Sequence, residues 1–319
     1  MPLVNSPGKV QVKGSRPVVF AVIAMLFWGM SFVWFKQICG FYGPITIIFL
    51  RLLISGSLLM LYIKLSHINT AIRSSDIKWF LLLAFTQPFC YFMGESFGLT
   101  KVSSTISSVI IATIPLFAPI AAYYTFKEKV SGNTIAGIII SMTGIVVMLI
   151  NPDLSLNASP AGVGLLFFAV FSAVGYSLVI RKLADNYPVF IIIAMQNIIG
   201  AVYFLPFFLI FDLKQFLSIR PPVSALIALV ELAFFASTLA YLFYIVSIRD
   251  LGIIRANVFS NLIPVFTGIA SYFLLSEEFT GSKVIGMILV MAGVVFSQQR
   301  RFPGNLIRYS GKNSPPKTY

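Results

Sequence analysis

Long apolar runs separated by short polar connections follow one another through most of the chain. Most of these runs are close to the roughly 20 residues that a helix needs to cross the hydrocarbon of a bilayer. Strands of a membrane barrel would instead be about 10 residues long and would alternate in polarity. The pattern predicts an all-α integral membrane protein with ten transmembrane helices. The runs are residues 17–36, 44–64, 78–99, 102–126, 131–150, 160–180, 189–211, 222–247, 252–275 and 281–299.

The composition agrees with lipid as the main solvent. Of the 319 residues, 58% are hydrophobic and 10% are charged, whereas soluble domains carry about 25% charged residues. The net charge of +13 would suit nucleic acid, but the basic residues occupy short loops and tails, so we expect no nucleic-acid partner. Cys39 and Cys90 are interpreted as buried thiols and His67 falls in a polar loop, so we expect neither a metal site nor a cofactor.

The basic residues also predict an orientation. With the N-terminus in the cytoplasm, 17 of the 23 Lys and Arg residues lie on the cytoplasmic side, 5 lie on the outer side, and Arg51 lies within a helix. Cytoplasmic loops of membrane proteins carry such an excess of Lys and Arg. We therefore expect a multi-pass protein of the cell (inner) membrane, with residues 1–16 and the basic residues 300–319 as cytoplasmic tails.

An internal repeat relates the two halves of the chain. The fourth and fifth runs match the ninth and tenth without a gap at a shift of 149 residues, and the second and seventh match at a shift of 144. Each half then holds five helices, and because five is odd, the second half must be inverted relative to the first. Inverted repeats around a central site are a recurring transporter plan; duplication for packing alone is the alternative. The matched residues include Pro115 with Pro264, Glu128 with Glu277, Gly137 with Gly286, Gly144 with Gly293, Pro44 with Pro188, and Gly56 with Gly200.

These residues resemble the EamA-like ten-helix family of the drug/metabolite transporter superfamily. The resemblance covers about residues 17–299 and implies two EamA-like five-helix repeats, 17–150 and 160–299, the second inverted. It further implies a cavity between the halves, lined mainly by helices one, three, four, six, eight and nine. The residues that carry it are Phe27-Trp28-Gly29, Pro44, Arg51, Ser103, Pro115, Glu128, Gly132, Gly137 and Gly144, with the repeated Pro264, Glu277, Gly286 and Gly293.

Three charged residues lie inside predicted helices: Arg51, Glu95 and Glu231. A charge in hydrocarbon costs at least a few kcal/mol, so such residues usually face a cavity or a partner. At 1.5 Å per residue they lie about 10, 6 and 12 Å below the outer ends of their helices. Glu95 or Glu231 could sense a cationic group or a proton, or could instead form a structural ion pair. For Arg51 we favour the role of a structural charge.

Polar residues recur on single faces of several predicted helices. Gln87, Tyr91 and Glu95 are spaced i, i+4 and i+8, so they form one stripe that must face protein or water. Pro115 and Pro264 are predicted conformational hinges, because a mid-helix proline frees a carbonyl four residues earlier. Interhelical hydrogen bonding without a substrate is the alternative interpretation. The other candidate cavity residues are Trp28, Ser31, Ser108, Tyr176, Glu231, Thr238, Tyr241, Asn257 and Asn261.

Sequence motifs do not indicate a membrane enzyme or an ATP-driven pump. The chain contains no HExxH and no P-loop. A G-x-S-x-G stretch occurs at 94–98, but it lies inside a predicted membrane helix and not at the strand-to-helix turn that the motif requires, so neither class is expected. We expect a secondary transporter that works as a monomer and moves small organic solutes, metabolites or amino-acid-like compounds, by alternating access. Export is expected from the family resemblance alone, and protons are a candidate coupling ion. The alternatives are a facilitative, channel-like pore for polar solutes and a proton-coupled multidrug exporter.

Overall fold

The computed structural model describes residues 16–68, 71–126, 131–150, 158–184, 186–251 and 259–298. These residues are almost entirely helical and contain no strand. The expected terminal tails, apart from Arg16, and Glu128 lie outside the described residues. We label the helical segments α1 to α10. Five are single helices: α1 is Arg16–Cys39, α2 is Pro44–Leu65, α5 is Gly132–Leu149, α6 is Pro160–Ala184 and α10 is Gly281–Gln298. The other five consist of successive pieces: α3 is Ile77–Ala84, Phe85–Cys90 and Tyr91–Leu99; α4 is Ser104–Ile111 and Ile114–Phe126; α7 is Val189–Phe207, Phe208–Asp212 and Leu213–Ser218; α8 is Val223–Glu231, Leu232–Leu239 and Ala240–Leu251; and α9 is Phe259–Asn261 and Leu262–Leu275.

Most of these segments are long and apolar enough to cross a membrane. Among the described residues, seven helices meet that condition: α1, α2, α4, α5, α6, α7 and α8. Two shorter apolar helices follow in α9 and α10. The predicted class, an all-α protein built from membrane-spanning helices, agrees with this architecture.

Several helix ends differ from the predicted runs for local reasons. The α4 segment begins at Ser104 rather than at 102, because the hydroxyl of Ser103 accepts a hydrogen bond from Ile106 N and caps the helix. The same segment is also interrupted between Ile111 and Ile114. The α7 segment continues to Ser218, beyond the predicted end at 211.

Helices α5 and α10 approach each other at glycines. A Cβ atom on Gly137 would lie 2.5 Å from the carbonyl oxygen of Gly293, and one on Gly144 would lie 2.7 Å from that of Gly286. Residue numbers of successive contacts increase along α5 and decrease along α10, so the two helices are antiparallel. Ser141 Oγ lies between the two glycine contacts and donates to Val290 O at 3.1 Å. Small residues at this spacing permit such close backbone approach.

Helices α2 and α7 also run antiparallel. At one end, Asp212 Oδ2 accepts hydrogen bonds from Thr46 N at 3.0 Å and from Thr46 Oγ1 at 2.7 Å. This carboxylate therefore caps the start of α2, where the first backbone N–H groups have no partner within the helix. Further along, the Phe49 and Phe208 rings stack at 4.7 Å, and at the other end Tyr62 meets Phe190.

The remaining helices pack around this frame. Helix α1 packs against α8 and α9, and α6 packs against α3 and α4. Gly29 allows α1 to approach α9 closely, because a Cβ there would lie 3.1 Å from Ile263 O, and Thr267 Oγ1 donates to Gly29 O at 3.0 Å. At the turn before α10, the Glu277 carboxylate accepts from Ser104 N at 2.7 Å and caps α4. These contacts leave the middle of α1, α2, α3, α7 and α8 facing a common centre.

Candidate functional site

Two helices lose regular α-geometry at the centre of the molecule. Helix α3 is kinked within Phe85–Cys90, where the backbone of Gln87 is extended, with φ −149° and ψ 123°. Helix α8 has wide, π-helical turns over Leu232–Leu239. At the repeat shift of 149 residues, the first of these segments matches the last six residues of the second. Such π-type turns occur frequently at functional sites.

Side chains from neighbouring helices bond to the backbone of the irregular part of α8. Trp28 Nε1 donates to Ala236 O at 3.2 Å, and Ser55 Oγ donates to Ser237 O at 2.9 Å. Thr238 Oγ1 donates to Ala233 O within the same segment. Irregular backbone at membrane depth is tolerated where such partners form hydrogen bonds with its N–H and C=O groups.

Arg51 is 5% exposed and points from α2 toward α8. Its Nε donates to Ser237 Oγ at 3.0 Å, and its guanidinium carbon lies 4.3 Å from the centre of the Phe92 ring. In the described part of the chain this is the guanidinium's only hydrogen bond. A guanidinium has five N–H donors, so those on Nη1 and Nη2 remain uncommitted.

Glu95 lies near Arg51 without forming a direct ion pair with it. Glu95 Oε1 accepts a hydrogen bond of 2.6 Å from the hydroxyl of Tyr91, one turn earlier on α3. The charges of Glu95 and Arg51 are close enough to interact electrostatically, and both also interact with the Tyr241 hydroxyl. The side chain of Glu95 is partly exposed, whereas Arg51 is buried. Arg51 of α2 and Glu95 of α3 therefore supply one positive and one negative charge that lie near each other without direct contact.

Aromatic side chains surround this charged pair. The ring of Trp28 meets Tyr241 at 5.2 Å and Tyr244 at 5.0 Å, both in edge-on geometry. Gln87 Nε2 donates to Tyr241 OH at 3.2 Å, which links the break in α3 to α8. The Tyr176 hydroxyl donates to Gln196 Oε1 at 3.0 Å and interacts electrostatically with Tyr241. Rings with one polar end can pack against apolar groups and still bond to polar ones.

We refer to the residues that make these contacts as the central cluster. It contains seven of the residues singled out in the sequence, together with Tyr176 at its edge. Its members from the sequence analysis are Trp28, Arg51, Gln87, Tyr91, Glu95, Thr238 and Tyr241.

Other predicted cavity residues do not take part in the side-chain contacts of the central cluster. Ser108 is fully buried and donates to Thr105 O in its own helix at 2.8 Å. Glu231 is partly exposed, directly before the wide turns of α8, and among the described residues it has neither a hydrogen bond nor a charged partner. Ser31 bonds to Trp28 O, and Asn261 is 5% exposed where α9 packs on α1 and α10. Asn257 lies outside the described residues.

The two predicted hinge prolines follow helix interruptions. Helix α4 loses regular geometry at Ala112–Thr113, and Pro115 is the second residue of the piece that follows. In α9 a short 3-10 turn ends at Asn261, and Pro264 is the third residue of the next piece. The prolines therefore begin helical pieces instead of lying in mid-helix, and the two interruptions match at the repeat shift. Hinge motion there stays a prediction.

Four polar residues of the central cluster were not recognised in the sequence. Asn197 Nδ2 donates to Ser55 Oγ at 3.0 Å, and Ser55 Oγ lies 2.9 Å from Thr238 Oγ1. The other two are Gln196, which accepts a hydrogen bond from Tyr176, and Ser237, which accepts one from Arg51. Adjacent Gln and Asn within the apolar run 189–211 could have indicated them, since unpaired amides are costly in hydrocarbon.

Comparison with known proteins identifies the family. The model of the EamA-like transporter family matches residues 15–150 and 160–298. The chain belongs to the EamA-like transporter family. An uncharacterized transporter of Archaeoglobus fulgidus is 25% identical over 283 residues, which cover 89% of this chain and 99% of that protein. The uncharacterized transporter YcxC of Bacillus subtilis is 23% identical over 286 residues, covering 88% and 91%.

A plant protein and a solved structure extend the comparison. A WAT1-related chloroplastic protein of Arabidopsis thaliana is 23% identical over 278 residues, covering 84% of this chain and 66% of that protein. A crystal structure with 16% sequence identity superposes with a TM-score of 0.65 over 89% of this chain and 97% of the other, which shows a shared fold. Family membership and the long apolar helices together make this EamA protein a multi-pass membrane transporter rather than an enzyme.

Proposed function

We propose that this EamA protein is a secondary transporter that moves small organic solutes, metabolites or amino-acid-like compounds, out of the cell by alternating access. The central cluster is the observation that carries the proposal. Arg51 and Glu95 come from the first sequence repeat and Ser237 and Tyr241 from the second, and they meet where α3 and α8 lose regular geometry. Discontinuous helices at the interface of two repeats are where transporters bind their substrates.

The packing of the helices supports two inverted halves of five spans each. Helices α5 and α10, which are equivalent in the repeat, pack antiparallel, and Ser141 bonds to Val290, its own equivalent at the shift of 149. Helices α2 and α7 are equivalent and antiparallel too. The contacts of α1 with α8 and α9 are matched by those of α6 with α3 and α4. An approximate two-fold axis between the halves would relate all of these pairs.

The chemistry of the cluster favours a polar solute that also carries an apolar part. Arg51 keeps uncommitted N–H donors, and Oε2 of Glu95 accepts no hydrogen bond from a described residue. A carboxylate of the substrate would bond to the guanidinium and an amino group to Glu95, while Trp28 and Tyr241 would contact its carbon atoms. One cation and one anion leave the site nearly neutral, which favours such solutes over bulky organic cations.

The same proposal places both termini in the cytoplasm and the chain in the inner membrane. It rests on the distribution of basic residues, of which Lys64, Arg73, Lys78 and Lys182 lie at one end of the described helices. All groups of the central cluster come from one chain, so a monomer suffices. Proton coupling through Glu95 is a hypothesis motivated by its depth and by its free carboxylate oxygen.

Counterflow in reconstituted vesicles tests the proposal. Vesicles with purified protein are loaded with an unlabelled solute and diluted into its radiolabelled form, using a panel of amino acids, nucleosides and cationic dyes. A carrier that alternates between two states gives transient accumulation of label and saturates with concentration. Flux that neither saturates nor shows counterflow would refute alternating access and indicate a pore.

Two carboxylate variants provide a matched comparison. Glu95→Gln and Glu231→Gln each remove one charge from a membrane-spanning helix, but only Glu95 belongs to the central cluster. We expect Glu95→Gln to reduce transport by at least about tenfold, the effect of losing one charge-assisted contact of about 1.5 kcal/mol. Glu231→Gln should retain transport. Repeating both with and without a pH gradient tests proton coupling, which unchanged pH dependence in Glu95→Gln would rule out.

A further inference from the structure

We propose that the surface between the start of α3 and the end of α6 binds the headgroup of an anionic glycerophospholipid, independently of the transported solute. Lys78 of α3 and Lys182 of α6 place their Nζ atoms 5.8 and 5.9 Å from the centre of the same Trp79 ring. Both lysines are exposed, and neither forms an ion pair with a described residue. Two like charges beside one indole form a positively charged surface that attracts an anion, and a phosphate group is an anion that lysine binds.

The backbone beneath these lysines is held in place. The Tyr187 hydroxyl, from the connection between α6 and α7, donates to Asp76 Oδ2 at 2.7 Å and accepts from Arg73 N at 3.1 Å. The Tyr187 ring also meets Phe80 of α3 edge-on at 5.2 Å. These contacts fix the end of α6 beside the start of α3. Lys78 and Lys182 therefore lie beside the same Trp79 ring, and among the described residues neither forms an ion pair with Asp76.

An apolar surface continues from the lysines along α3. Leu81, Leu82 and Phe85 follow Lys78 at i+3, i+4 and i+7, so they share its face of the helix. They are 42%, 41% and 48% exposed. A lipid would place its phosphate between the ammonium groups and its acyl chains along this stripe, with Trp79 at the level of the headgroups, where tryptophan is enriched. A free phosphate ion would use the lysines alone.

Lipid competition on the purified full-length protein tests this proposal. The protein is placed in mixed micelles, and retained phosphatidylglycerol and phosphatidylcholine are counted by native mass spectrometry. We expect the wild type to prefer phosphatidylglycerol and the Lys78→Gln/Lys182→Gln variant to lose this preference by up to about 30-fold, since each lysine near an anionic surface contributes about fivefold. Lys64→Gln/Lys101→Gln removes the same charge from exposed positions elsewhere and should keep the preference.

Additional measurements distinguish a bound lipid from a bound soluble anion. Inorganic phosphate or glycerol 3-phosphate at millimolar concentration should not displace the bound lipid, and displacement would overturn the lipid assignment in favour of a soluble ligand. Equal loss of preference in the two double variants would also overturn it, since a general charge effect would then suffice. Replacing Leu82 by Gln should weaken retention of phosphatidylglycerol without changing the charge. Because the readout is lipid binding, its outcome is independent of whether any panel solute is transported.

Discussion

Replacing Gly144 by alanine tests the close contact between α5 and α10. A Cβ at this position would lie 2.7 Å from Gly286 O, 2.9 Å from Leu289 Cβ and 2.9 Å from Val290 Cγ2. One of these neighbours is backbone and another is a Cβ atom, so the helices must separate to admit even one methyl group. Overpacking of this kind costs about 1–3 kcal/mol. The gain of about 0.5–1 kcal/mol from replacing glycine in a helix offsets only part of that cost.

The expected net loss for Gly144→Ala is therefore about 1 kcal/mol, or about a fivefold change in the ratio of folded to unfolded protein. Equilibrium unfolding in mixed micelles titrated with sodium dodecyl sulfate, followed by tryptophan fluorescence, measures this loss. Gly164 of α6 supplies a control, because a Cβ there would meet nothing within 4 Å. Gly164→Ala should be neutral or slightly stabilising. Identical unfolding curves for the two variants would show that α5 and α10 are not packed through Gly144.

The remaining predictions concern the hydrogen bonds and the charges of the core. Ser55→Ala removes the hydrogen bond to Ser237 O and the one from Asn197. At about 0.6 kcal/mol per interhelical bond, we expect the free energy of unfolding to fall by about 1–2 kcal/mol. Wild-type stability of this variant would contradict the hydrogen bonds described. Asp212→Ala removes the cap of α2 and should cost about 1 kcal/mol in the same unfolding assay, with Asp212→Asn intermediate. Arg51→Gln should reduce counterflow more than stability, and an equal loss of both would favour a purely structural charge.

The sequence predicts the helical architecture well because every membrane span must meet the same requirement. About 20 apolar residues must satisfy their backbone groups within one helix, and that requirement is readable without knowledge of the neighbours. The two inverted halves are predicted from the repeat, and the antiparallel packing of α5 on α10 supports them. Within the predicted run 78–99, Pro88 is the residue of the sequence that indicates the interruption near Gln87, because proline lacks an N–H and disrupts a regular helix.

The membership of the central cluster is less predictable, because it depends on which helices face each other. Ser108 and Thr238 are both small polar residues in apolar helices, yet Ser108 bonds within its own helix and Thr238 joins the cluster. Glu231 and Tyr241 are spaced i and i+10, so a regular helix would put them on the same face, but the wide turns between them alter the angular relation of the two positions. Helical periodicity assumes regular turns, so it fails at the positions where a site requires irregular ones.

The bond between Ser141 and Val290 has a consequence for the history and engineering of the chain. Because each helix of that pair packs on its own repeat equivalent, the contact resembles the self-complementary interface of a two-fold homodimer. A single five-helix half inserted into the membrane in both directions would already possess this interface. Cutting the chain between α5 and α6 and expressing the pieces together should therefore reassemble the protein, with α5 and α10 as the dimerisation helices.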